Sequence, residues 1–154
     1  MSYFEDLTPY GYGLKIVKDN TPELNVGWLE KNKPYPIGET SQKFKDRLSI
    51  FCSKEFLVGL TKGVHECEFC SPEVVIEGTR LVVGNGEIRV IGKSAIYAAP
   101  ELIFHYVVNH HYKPPDEFIN AVLTGPQGGT KEHLALIWEH TYEGFASKRK
   151  KLDA

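Results

Sequence analysis

Two short segments hold most of the residues able to bind a soft metal ion. The first is His65-Glu66-Cys67-Glu68-Phe69-Cys70, and it carries two of the three cysteines. The second runs from His105 to His111 and carries His105, His110 and His111, three of the six histidines. Thiolate and imidazole are the donors that zinc prefers, in tetrahedral sets of four. Two cysteines separated by two residues can both face one ion when the chain turns between them. Cys67 and Cys70 are therefore the primary candidate ligands, and a distant helix must supply the rest. His105 is the next candidate, while His65 and His110 compete for the fourth place. An extended stretch at 65–67 would point His65 and Cys67 the same way. On an ideal helix His105 and His110 lie about 140° apart, given about 100° per residue. They share a face only if the helix end is distorted. The layout resembles an enlarged Cys2His2 finger with a hairpin and a strand between its two halves. The plain competing reading is two buried free thiols and one core histidine at 105.

The chemistry open to such a site is structural or hydrolytic. Glu66 and Glu68 flank the cysteines and are candidate general bases for a zinc-bound water. H-E-x-x-H is absent, and the H-x-E followed by P-C-x-x-C pattern of zinc deaminases is not met. A redox C-x-x-C more often opens a helix after a buried strand, and Gly63-Val64-His65 is not such a strand. A closed structural zinc site is the favoured expectation. Gly84-Asn85-Gly86 reads as a hairpin. Gly125–Lys131 lacks the ending of a phosphate loop.

The elements that must position these residues follow from local patterns. Leu14–Val17 and Asn25–Leu29 read as two short strands, with a turn from Lys18 to Glu23. A helix is expected from Ser41 to Ser53, capped by Thr40 or Ser41, with Phe44, Leu48, Phe51 and Cys52 on one buried stripe. Cys52 is then a core thiol. Strands are expected at 74–76, 80–83 and 87–91, the last two joined at Asn85-Gly86 by a type I′ turn. Ser94–Ala98 adds a further strand. Pro100 suits the first turn of a helix reaching His111. Asp116 opens another helix, which stops at Gly125. Thr130 caps a last helix with Leu134, Ile137, Trp138 and Phe145 on its apolar face. His133 and His140 share a face there but lack a third ligand. The aromatics Tyr3, Phe4, Tyr10, Tyr12, Trp28 and Tyr35 read as closing one end of the core rather than as a binding surface.

The chain has 154 residues, 42% hydrophobic and 25% charged, with a formal net charge of −2. That length forms one ordinary domain, able to bury a core without disulfides. The balance gives no global attraction to nucleic acid or anionic membrane. No apolar run is long enough to span a bilayer. The N-terminus lacks the features of a signal peptide, so three reduced thiols and a cytoplasmic location are expected. The basic run Lys148–Lys151 reads as a solvated helix end.

Several blocks resemble a family of uncharacterised bacterial proteins. They are Phe4-Glu-Asp-Leu-Thr-Pro-Tyr10, Val26-Gly-Trp-Leu29, His65-x-Cys67-x-x-Cys70, Glu87-Ile-Arg89, Ala98-Ala-Pro-Glu-Leu-Ile-Phe-His-Tyr106 and His110-His-Tyr-Lys-Pro-Pro-Asp-Glu-Phe118. The resemblance covers residues 3–124 and implies a bacterial, cytosolic, single-domain protein, with no activity attached. The expected fold class is α+β: a zinc-binding domain over 1–124 with an antiparallel sheet packed against several helices. Residues 125–154 form a linker and a C-terminal helix on or beyond that domain. The expected role is a non-enzymatic module that binds another protein, in the manner of an immunity or accessory protein. A zinc-dependent hydrolase using Glu66 or Glu68 is the alternative. A nucleic-acid-binding finger is weaker, because the helix around His105 has few basic residues.

Overall fold

A computed structural model describes residues 3–13, 15–17, 19–60, 65–70 and 83–144. Its centre is a three-stranded sheet ordered β1–β5–β4, where β1 is Glu23–Asn25, β4 is Glu87–Ile91 and β5 is Ile96–Pro100. β4 and β5 are antiparallel, but β1 runs parallel to β5, in register Glu23↔Ile96. The fold is a single α+β domain, and its sheet is mixed rather than purely antiparallel. A separate two-stranded ladder pairs β2 (His65–Glu66) with β3 (Val83–Gly84).

Two helices, α1 (Gln42–Phe51) and α3 (Asp116–Thr124), pack on the sheet, and α2 (Ile103–His110) packs against α1 in the same core. The Ser41 hydroxyl caps α1 by accepting from the Phe44 N–H, and Phe44, Leu48 and Phe51 are fully buried, as the helical spacing predicts. Cys52 packs against the same core, and burial pushes its thiol up to about 12. From the sheet, Ile88, Val90, Tyr97 and Ala99 enter this cluster. The alternate residues Glu87, Arg89 and Ala98 are also buried, because the N-terminal segment covers the other face. Tyr10 and Trp28 pack on Ala98 there, and Trp28 Nε1 donates to the Ala98 carbonyl at 2.9 Å.

Several expectations shift. The first strand begins at Glu23, and 26–29 leaves the sheet after the Val26 N–H reaches the Ala98 carbonyl at 3.0 Å. Gly27 makes that departure at φ 81°, where a Cβ would stand 2.8 Å from the Ile103 side chain. Lys15–Val17 is not a strand; the N–H groups of Ile16 and Val17 donate to Glu23 Oε1 at 3.0 and 2.8 Å. Asn85-Gly86 does not close a hairpin between 83 and 87. β3 is drawn to β2 instead, the Asn85 N–H donates to Glu101 Oε1, and the Gly86 carbonyl accepts from the Glu101 N–H. The tight connection lies at Gly92–Ala95, where the Gly92 N–H reaches the Ala95 carbonyl at 2.9 Å. Pro100 ends β5 rather than opening α2; β1 pairs only as far as Ala98, so no ladder donor is needed at 100. The strands expected at 74–76 and 80–82 lie outside the described residues, as do Phe145 and Lys148–Lys151.

Thr130 caps α4 (Lys131–Ile137), whose buried residues are His133 and Ile137. Trp138 starts a 3-10 turn and is exposed. His133 is 1% exposed. Its Nδ1 accepts from the Gly129 N–H, and its Nε2 lies 3.1 Å from the Arg89 carbonyl as donor. Burial pushes its pKa down to about 4, against a smaller opposing effect of the Arg89 carbonyl. The unfolded value is higher, about 6.5, so neutral His133 stabilises the fold fully above that pH. The contribution is lost as pH falls from about 6.5 through 4. Wild type is expected to lose about 3 kcal/mol more in that window than His133→Gln. Urea denaturation of both proteins at either end of the window checks this, and equal losses would refute it.

Candidate metal centre

The knuckle begins where β2 ends. β2 pairs only His65 and Glu66, and Cys67 to Cys70 then turn out of the ladder. The turn brings Cys70 back beside Cys67, with their sulfurs within 4.8 Å of one another.

Thirty-five residues along the chain from Cys70, α2 presents His105 and His110 to the same point. The helix achieves this through a widened C-terminal turn. The His111 and Tyr112 N–H groups both converge on the Tyr106 carbonyl, the second at 3.1 Å, so the closing bonds span five and six residues instead of four. His111 adopts the left-handed conformation, φ 55°, and stops the helix there. A wider turn brings positions five apart toward one face, and the two imidazole centroids lie 4.9 Å apart.

The donor atoms of Cys67, Cys70, His105 and His110 all lie within 4.8 Å of one another. Zn–S bonds of about 2.3 Å and Zn–N bonds of about 2.05 Å at tetrahedral angles require S···N edges of about 3.6 Å and an N···N edge of about 3.3 Å. Cys67 Sγ and Cys70 Sγ stand 3.4 and 3.5 Å from His110 Nε2, Cys70 Sγ is 3.2 Å from His105 Nε2, and the two Nε2 atoms are 3.2 Å apart. Four of the six donor–donor separations are thus close to the edges of a tetrahedral coordination shell. Their electrostatics suit a cation. Burial, together with the neighbouring Cys70 sulfur, pushes the Cys67 thiol up to about 11. Burial lowers both imidazole pKa values, and each is lowered further by a neighbouring histidine, His110 for His105 and His111 for His110. Neutral imidazoles are the ligating form, and a metal dication favours the thiolates that burial alone disfavours.

His65 is not brought into this group. The alternation that would align it with Cys67 stops at Glu66, and His65 pairs instead with Gly84 at the edge of a cleft with Trp28 and Glu87. His111 lies outward, with Nδ1 3.7 Å from Glu39. Glu66 and Glu68 are exposed, and Glu68 Oε2 accepts from the Lys31 N–H at 3.1 Å.

Phe69, inside the C-x-x-C turn, is a supporting residue that spacing does not reveal. Its ring packs on His110, Tyr35 and Tyr106 at 5.4, 5.2 and 5.8 Å. Tyr35 also donates to the His110 carbonyl at 3.0 Å. In the sequence Tyr35 stands out only as one of the N-terminal aromatics expected to close the core. His110→Ala is expected to lower zinc affinity by more than the roughly 100-fold typical of losing an outer-sphere partner, while His65→Ala leaves it unchanged. Competition with a chromogenic chelator measures both, and a comparable loss in His65→Ala would contradict the four-atom set.

Residues 2–123 match the profile of a family described as Domain of unknown function (DUF7919). No curated protein and no solved structure is similar to the chain.

Proposed function

The chain belongs to that family, whose description names no activity, and we propose from the geometry that it is a zinc-stabilised, non-enzymatic binding domain. The carrying observation is the set of Cys67, Cys70, His105 and His110, whose donor atoms lie within 4.8 Å of one another, with four of the six separations close to tetrahedral edges. Two soft thiolates and two imidazoles select zinc over hard, oxygen-preferring cations. Four protein donors leave no coordination position for a reacting water. Of the two candidate bases, Glu68 is engaged by the Lys31 backbone N–H. These features favour a structural role over a hydrolytic one.

The ion would fasten the knuckle to α2 and so hold two segments that are distant in sequence. A protein partner is supported by exposed aliphatic side chains on this side of the fold. Val108 lies on α2, and Ile37, 72% exposed, is bridged to Tyr112 just beyond it. Free Cys52, Cys67 and Cys70 suit a reducing compartment, and we place the protein in the cytoplasm. Among the described residues, no helix is long and apolar enough to cross a membrane.

Protein purified without added metal is expected to carry one zinc per chain by mass spectrometry of the native protein. Cys67→Ser should abolish this and destabilise the fold by about 3 kcal/mol or more, about 10 °C in melting temperature for a chain of this size. Stoichiometric zinc whose removal leaves the melting temperature unchanged would overturn the structural role, and a metal-free wild type would overturn the site.

A further inference from the structure

On the sheet face opposite the helices, a narrow cleft of about 20 Å³ opens between the N-terminal aromatics and the start of β4. Its walls include Tyr12, Trp28, Gly59 and His65, with Glu87 and Glu101 as the carboxylates. Glu87 is only 5% exposed. Its Oε1 is fully used, accepting from the Tyr10 hydroxyl at 2.6 Å and from Arg89 Nη1 at 2.9 Å. Its Oε2 lies on the cleft side, beside Gly59, where a Cβ would stand 3.2 Å away, and it accepts no hydrogen bond among the described residues. Gly59 has φ 61°, a conformation that most side chains resist and that here leaves the approach to Oε2 open.

The charge balance points the same way. The buried ionic groups described on this face are Glu23, Glu87 and Arg89, two carboxylates against one guanidinium. Glu87 is held almost wholly out of water with one carboxylate oxygen turned to the cleft, where a cation bearing N–H groups would meet it favourably. Glu101 adds a second carboxylate, held toward the Asn85 backbone at 2.9 Å. The walls are aromatic and preorganised: Trp28 is pinned through Nε1 to Ala98, with Tyr12 5.6 Å and Phe4 5.6 Å from it, centroid to centroid. Aromatic faces attract an organic cation and pack on its alkyl stem. The narrow volume suits a compact head group such as an ammonium better than a broad planar guanidinium.

We propose that this cleft binds a primary alkylammonium group, with Glu87 Oε2 and Glu101 receiving its N–H donors and Trp28 and Tyr12 flanking its stem. The site is separate from the metal centre and does not depend on its role. Two sources share this chemistry, a free alkylamine and a lysine side chain of another protein.

Isothermal titration calorimetry on the metal-replete full chain tests it, with n-butylammonium, Nα-acetyl-lysine methylamide and the uncharged Nα-acetyl-norleucine methylamide as probes. Saturable binding of an ammonium probe, absent for norleucine, is the expected result. Binding of the lysine derivative assigns the site to a protein side chain, and binding of butylammonium alone assigns it to a small amine. Glu87→Gln should weaken binding at least about tenfold. Because that change also removes a counter-charge from Arg89, Tyr12→Ala and Glu101→Gln provide milder variants, each expected to weaken binding by several-fold with the fold intact. No binding of either ammonium probe to wild type at millimolar concentration, equal binding of norleucine, or full affinity in both milder variants would overturn the proposal.

Discussion

A guanidinium with no exposure to water must be surrounded by acceptors, and Arg89 imposes that demand on half of the molecule. Its partners come from separate places in the chain. Glu87 is two residues away on β4, Glu23 is on β1, and the Tyr10 ring lies 4.5 Å from the guanidinium carbon. Glu23 then accepts the backbone N–H groups of Ile16 and Val17, so one carboxylate organises both the ion pair and the segment leading into β1. Removing one partner of such a buried pair typically costs about 3–5 kcal/mol. The N-terminal segment therefore closes over the sheet as a condition of burying Arg89, and Tyr10 and Trp28 seal the edge.

The same segment reaches the Cys/His cluster from the other direction. Asp6 accepts from the Gly27 N–H at 3.0 Å and from the Tyr112 hydroxyl at 2.8 Å. Tyr112 follows the left-handed residue that ends α2, and its ring lies 6.2 Å from Tyr35. The backbone after α2 is strapped to 36–38, where the Lys113 N–H meets the Pro36 carbonyl and the Gly38 N–H meets the His111 carbonyl. The widened turn carrying His110 is thus held by fixed neighbours before any ion binds, which is the preorganisation that a closed coordination shell requires.

The reach of sequence reasoning followed the range of the forces involved. Donor types declare themselves, and Cys67, Cys70, His105 and His110 were all visible as candidates. Capping is equally local, so Ser41, Thr130 and the stop at Gly125 were readable. Choosing between His65 and His110 required the end of β2 and the shape of the last turn of α2, and both are set by tertiary contacts. Strand pairing failed for the same reason. Asn85-Gly86 is a good turn signal, but β3 has a competing partner 17 residues back at Glu66, the residue that pairs with Val83. Glu87 and Arg89 alternate with Ile88 and Val90 as on a half-exposed strand. Nothing in that alternation announces that a distant segment covers the polar side. The N-terminal aromatics divided accordingly: Tyr10 and Trp28 went into the core, while Tyr12 stayed 41% exposed.

The two tryptophans sit in opposite surroundings. Trp28 is sealed against Ala98 and donates to its carbonyl, whereas Trp138 is half open to water on the 3-10 turn after α4. An indole in a dry setting emits at shorter wavelength than a hydrated one and is shielded from ionic quenchers. The chain therefore carries two built-in optical reporters with separable signals. The quencher-resistant blue component follows the sheet and its N-terminal cover, and the quenchable red component follows the C-terminal end.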